Sequence, residues 1–233
     1  MEPFIVLFPR TNITRLQHFL HDFFLFVGIT ALIYLEYLWA EAREGRTMAY
    51  KIRVATISDL EQVLYVSNEA FLADSFFKKP EFHRRFKFDD IMAMFSKENA
   101  FFLVAYVDIS DQVIGSIYLE IYTTPFPTIS GHFSAVSVLS KYRNLGVGSA
   151  LVEAAEMRLQ RFTSSNDSST GHSGQPRNKV MDIDVVSVRP DLIEWYKKKG
   201  YVVGAETKPA EFISEVQPEL DVCLIRMQKS IGG

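Results

Sequence analysis

Residues 143–150 read Arg-Asn-Leu-Gly-Val-Gly-Ser-Ala, with an apolar strand pattern before them (132–139) and a helical pattern after them. Leu151, Ala154, Ala155, Leu159 and Phe162 recur at helical spacing over about Gly148–Phe162 and form one buried stripe. Glycines in such a strand–turn–helix junction let the backbone turn with positive φ and approach a ligand closely. The first amides of the helix then point outward, and with the helix dipole they attract phosphate. A Walker loop needs G-x-x-x-x-G-K-[ST], which is absent. A dinucleotide fingerprint needs a third glycine three residues after the second, and Leu151 stands there. The pair Gly146 and Gly148 taken alone is equally compatible with an ordinary strand–helix turn.

Around this junction the pattern is legible from Tyr50 onward. Tyr50–Ala55 alternates as a strand, and Ser58 with Glu61 reads as a capping box opening a helix. A second short helix is predicted over 89–96. Phe101–Val107 and Val113–Tyr122 form a hairpin about the turn 108–112. His132–Leu139 is a strand, as are 180–186, 201–205 and 222–227. Pro190 opens a further helix that Gly200 ends. The order β-α-α-β-β-β-α-β-α-β-β is neither strictly alternating nor segregated, so it predicts a mixed sheet with helices on both faces. Residues 163–178, rich in serine and lacking an apolar run, read as a flexible surface insertion.

The net charge of −3 offers no global field for nucleic acid. A single cysteine, Cys223, cannot form an internal disulfide and reads as a small core residue, which fits a reducing, cytoplasmic compartment. Residues 1–47 are set apart as an N-terminal hydrophobic extension. Phe23–Leu35 is an uncharged run of 13 residues, short of the roughly 20 that a spanning helix needs. Three readings are open: a membrane anchor over 19–40, an amphipathic helix, or a stretch upstream of a natural start at Met48. The third is favoured, and membrane association would come only through 19–40.

Three stretches in order resemble the GNAT (GCN5-related N-acetyltransferase) superfamily. They are Ile52-Arg53-x-Ala55-Thr56-x-x-Asp59-Leu60, Arg143-x-x-Gly146-x-Gly148, and Leu192 to Tyr201. The resemblance covers about Met48 to Met227. It implies an α/β (α+β) fold, with a mixed, mostly antiparallel sheet of about seven strands, in a domain over 48–233.

It also implies an acyltransferase that uses acetyl-CoA as co-substrate, the pyrophosphate resting on Arg143, Asn144, Gly146, Val147, Gly148 and Ser149. The pantetheine arm would pair with Val136, Ser137 and Val138, in a slot where the fourth and fifth strands part. The backbone N–H of about Val138 would serve the oxyanion. Tyr196 matches the tyrosine that protonates the leaving thiolate in many members. Glu120 and His132 are the candidates for general base, and a water chain is the alternative. The family often has asparagine seven positions before the tyrosine. Here Arg189 stands there, with Ser187 nearby as a substitute.

Lys78, Lys79, His83, Arg84, Arg85 and Lys87 crowd the segment that resembles the acceptor-binding region. They point to an acidic acceptor, to the cofactor's 3′-phosphate, or simply to a solvated face. The expected acceptor is a primary amine of a small molecule, attacked directly in a ternary complex. A protein amine and a catalytically silent acyl-CoA-binding module are the alternatives. Neither a metal nor nucleic acid is expected, and both monomer and homodimer are open.

Overall fold

The computed structural model describes residues 50–123, 128–163 and 178–232. The expectations for residues 1–47 and for the interior of the 163–178 insertion lie outside them. Seven strands form one sheet: β1 (Tyr50–Val54), β2 (Ala100–Val107), β3 (Gln112–Thr123), β4 (Thr128–Val138), β5 (Asn178–Val186), β6 (Val202–Thr207) and β7 (Leu224–Ser230). Their order is β1-β2-β3-β4-β5-β7-β6. Only β4 and β5 run parallel, and all other neighbours are antiparallel. The mixed sheet and the strand count follow the expectation from the sequence. β4 begins four residues earlier than its apolar run, at Thr128.

The helices are α1 (Leu60–Phe71), α2 (Phe88–Ser96), α3 (Val147–Arg161), α4 (Pro190–Lys198) and α5 (Ala210–Glu215). Alternation along β2 divides its side chains between two layers. Phe102 and Val104 join Leu60, Val63 and Val66 of α1 and Ile91 of α2 in one core cluster. On the opposite face α3 lies against Gly115 and Gly131. A Cβ at Gly115 would come within 3.0 Å of both the Ser137 carbonyl and Val147 Cγ1, and one at Gly131 within 2.9 Å of Leu159 Cδ2. These glycines let α3 sit close enough to bury Leu151, Ala155 and Leu159.

β4 carries a bulge that reorients the strand. Ser116 pairs with Ser137 but Tyr118 pairs with Ser134, so Ile117 faces two residues. One of them, Ala135, takes φ +52. Such a bulge turns alternate side chains to the other face. Phe133 thus packs on Tyr196 and Tyr201, while Ala135 joins the α1 cluster.

Two local expectations change. The capping box is not Ser58–Glu61 but Thr56–Asp59, on the 3-10 turn Ile57–Asp59 that leads into α1: the Asp59 carboxylate accepts from the Thr56 backbone N–H at 2.7 Å and from its hydroxyl at 3.1 Å. The reason is tertiary. Arg53 of β1 holds both Asp59 oxygens, at 2.6 and 2.9 Å, and fixes that carboxylate over the helix start. The Ser58 hydroxyl pairs with Thr56 Oγ1 instead. The second change is α5, absent from the expected order. It is six residues long, too short for a periodic signal. Its Phe212 packs on a small cluster of Phe77, Val216 and Val222.

The Arg53 pairing holds the Asp59 carboxyl below the usual carboxylate range. A depressed folded-state pKa contributes stability at neutral pH that disappears as pH falls through the carboxylate range, roughly pH 4. Asp59→Asn is expected to cost about 1–3 kcal/mol at pH 7 in urea unfolding. The gap between variant and parent should close below about pH 4.

Candidate active site

The cleft originates in the backbone. β4 and β5 pair from Thr128–Asn178 to His132–Asp182, where the ladder ends. Beyond it, each strand keeps its other neighbour: β4 pairs with β3 as far as Val138, and β5 with β7 as far as Val186. The inner edges from Phe133 and Ile183 onward therefore face a gap. That gap belongs to a cavity of about 850 Å³, which the Arg143–Ser149 turn, α4, Phe77 and Phe212 also line.

The turn closes one end. Asn144 and Gly146 take φ +63 and +80, and Gly146 is the N-cap of α3. Asparagine and glycine tolerate this left-handed region best. The first backbone bond of α3 is Ala150 N–H to the Gly146 carbonyl, at 3.0 Å. The amides of Val147, Gly148 and Ser149 precede it and have no partner within the helix. A Cβ on Gly148 would stand 3.7 Å from Val138 and 3.9 Å from Trp195, beside the cavity. Arg143 is anchored through Nε to the Val138 carbonyl at 3.3 Å and through Nη2 to that of Ala70 at 3.4 Å.

Tyr196 of α4 lies on the cavity wall, only 7% exposed, among Phe133, Trp195 and Tyr201. Burial raises its phenol pKa well above the ordinary value, so it keeps its proton at neutral pH. His132 sits at the point where the ladder ends and lines the cavity. Burial lowers its pKa, with Asp184 the strongest opposing influence and Arg226 adding to the depression. Asp184, also on the wall, receives both Nε and Nη2 of Arg226, at 2.6 and 3.0 Å.

The remaining predicted residues divide. Val136, Val138, Asn144 and Gly146–Ser149 lie along the cavity. Ser137 is fully buried, its hydroxyl donates to the Ala135 carbonyl at 3.0 Å, and it does not line the cavity. Glu120 stands opposite His132 in the β3–β4 register but does not reach the cavity. Its carboxylate is paired with Lys97 at 2.8 Å. Ser187 is engaged with Cys223, its hydroxyl accepting from the Cys223 N–H at 3.0 Å. Cys223 itself is buried. Arg189 bridges Asp74 at 2.9 Å and Asp191 at 2.8 Å, joining the end of α1 to the start of α4. Asp184 and the Arg226 that holds it carried no signal in the sequence, since their pairing is made across β5 and β7.

Comparisons with known proteins agree with this fold. Residues 98–203 match the family model of the acetyltransferase (GNAT) domain. An N-alpha-acetyltransferase of Sulfurisphaera tokodaii is 29% identical over 136 residues, 55% of this chain and 72% of its own. The solved structure of yncA, a putative acetyltransferase from Salmonella typhimurium with acetyl-CoA, superposes with TM-score 0.55 at 18% identity, over 79% of this chain and 95% of its own. Arabidopsis thaliana Naa50, in complex with the bisubstrate analogue CoA-Ac-MVNAL, does so with TM-score 0.54 at 17% identity, over 78% and 98%. Residues 98–203 therefore carry an acetyltransferase (GNAT) domain, and the fold around them is the one these GNAT structures share.

Because Arg226 and Asp184 act on His132 in opposite senses, Arg226→Gln should raise the His132 pKa and Asp184→Asn should lower it further. Titration of the imidazole protons by NMR measures both. An unchanged value in both variants would mean that burial alone sets it.

Proposed function

We propose that this protein transfers the acetyl group of acetyl-CoA to the primary amine of a small molecule, by direct attack in a ternary complex. One observation carries the reading: the gap between β4 and β5 runs from His132 to the free amides of α3 within a single cavity. The pyrophosphate rests on the amides of Val147, Gly148 and Ser149, with Arg143, Asn144 and Gly146 shaping the turn. The pantetheine arm extends along the open edge of β4, where Val136, Ser137 and Val138 offer backbone groups in strand geometry.

The chemistry needs a base for the amine, a donor for the oxyanion and an acid for the thiolate. His132 is the base, because its lowered pKa keeps the imidazole neutral at pH 7 and ready to accept a proton. The amine nitrogen attacks the thioester carbonyl, and a backbone N–H of β4 near Val138 meets the developing oxyanion. The intermediate collapses with loss of the thiolate, which takes its proton from Tyr196. Glu120 acts on His132 only across the strand pair.

The acceptor side supports a small molecule. The α1–α2 and β6–β7 connections meet there: Lys78 and Val216 form a β-bridge, Lys79 N–H donates to the Glu215 carbonyl at 2.9 Å, and Gln217 N–H to that of Phe77 at 3.0 Å. Joined connections narrow the path for a chain running through the site. A protein N-terminus is the second reading, favoured by the name of the archaeal relative. Turnover with matched amines and N-terminal peptides separates the two.

Saturating acetyl-CoA, at about 100 times its dissociation constant, should raise the thermal midpoint by roughly 5–10 °C. Gly148→Asp should abolish that shift, because a carboxylate then occupies the phosphate nest. Equal shifts with and without the substitution would place the cofactor elsewhere. Tyr196→Phe should lower kcat by roughly 10²-fold or more while the acetyl-CoA shift persists. Undiminished turnover would remove Tyr196 from the mechanism.

A further inference from the structure

The basic cluster of residues 78–87 separates into different environments. Lys78 is buried and ion-paired with Glu215, its ammonium over the rings of Phe77 and Phe212. Lys79 donates to the Ser214 carbonyl at 2.6 Å, and His83 Nε2 meets the Lys78 carbonyl at 3.3 Å. Arg84 and Lys87 are exposed and do not line the cavity. Arg85 does.

The Arg85 guanidinium stacks on Phe71, 4.3 Å from its ring centre, and lies 5.3 Å from that of Phe86. The side chain is exposed to solvent, and neighbouring protein partly desolvates the guanidinium, which lowers its pKa against the opposing fields of Glu215 and Asp74. Among the described residues none accepts a hydrogen bond from it. The acids whose fields reach it, Glu215 and Asp74, are paired with Lys78 and Arg189. A guanidinium presents up to five donors in a planar fork that suits a carboxylate. Stacking on Phe71 holds that fork in place before a ligand arrives. The other lining cations are engaged: Lys78 with Glu215, Arg189 with Asp74 and Asp191, and Arg143 with two carbonyls.

We propose that Arg85 is the anion-binding residue of the acceptor pocket, and that the acceptor is a small amine that also carries a carboxylate. The inference rests on the acetyl-transfer reading above. Such a molecule would place its amine at the acidic and imidazole groups, Asp184 and His132, and its carboxylate at Arg85. The cavity wall thus carries groups complementary to both charges of a zwitterion.

The test uses the full chain and pairs of amines that differ only in a free carboxylate or its methyl ester. Turnover and thermal shift are measured for parent, Arg85→Gln and Arg85→Lys. In the parent, the free acids should have a lower KM than the esters by roughly 10- to 100-fold, as a charge-assisted fork implies. Arg85→Gln should collapse that difference, and Arg85→Lys should restore part of it. The acetyl-CoA shift should persist in both variants.

Loss of the acetyl-CoA shift in Arg85→Gln, with the acid preference retained, would assign the guanidinium to a cofactor phosphate and overturn the proposal. Esters or peptide N-termini preferred over free acids would overturn it while leaving acetyl transfer intact. No turnover of any amine would sink the transfer reading. The acid-against-ester thermal shift would then still decide whether Arg85 holds a carboxylate.

Discussion

The end of the β4–β5 ladder at His132–Asp182 is the constraint on which the rest of this molecule depends. Two parallel strands that stop pairing halfway leave a row of backbone donors and acceptors exposed along each inner edge. The strands stay extended beyond that point because their outer edges are satisfied, β4 by β3 and β5 by β7. The bulge at Ala135 adds twist where they diverge and turns Phe133 under Tyr196 and Tyr201. The result is a slot with strand-like edges, a polar group at one end and a helix N-terminus at the other. A ligand that is extended along its middle and anionic at one end fits those terms.

The ladder end is itself held by side chains from neighbouring strands. Asp182 accepts from Tyr122 of β3 at 3.2 Å and from Gln228 of β7 at 2.6 Å, and Asp184 is fixed by Arg226. Four strands therefore contribute to one polar cluster on the sheet face near His132. A buried carboxylate without such partners would cost far more than the pairing returns. Arg189 does comparable work at the other wall, tying α4 to the end of α1 through Asp74. That position departs from the asparagine common in the superfamily, and here it serves to bind two elements together.

Much of this was legible in the sequence, and the exceptions share a cause. The strand–turn–helix at 136–161, the glycine C-cap at Gly200 and the hairpin about 108–112 depend on residues close in the chain. They appear as expected, with Gly200 at φ +89. The capping box was misplaced because Arg53 on another element holds the Asp59 carboxylate, which then closes the box with Thr56 on the turn before α1. Glu120 and His132 looked equivalent as bases because their spacing says nothing about which of two cross-strand neighbours reaches the cavity. Asp184 was silent, as one acid among several. Of six basic residues in one loop, only three-dimensional placement distinguishes Arg85 from the rest.

The sequence by itself determined the order of all seven strands and four of the five helices, the glycine turn before α3 and the resemblance to the superfamily. These rest on local backbone preferences and on periodicity, which a linear reading carries. Tertiary structure alone decided which polar groups share the cleft and which of its cations has no hydrogen-bond acceptor among the described residues. Hydrogen bonds and ion pairs between residues distant in the chain settle those questions, and no spacing encodes them.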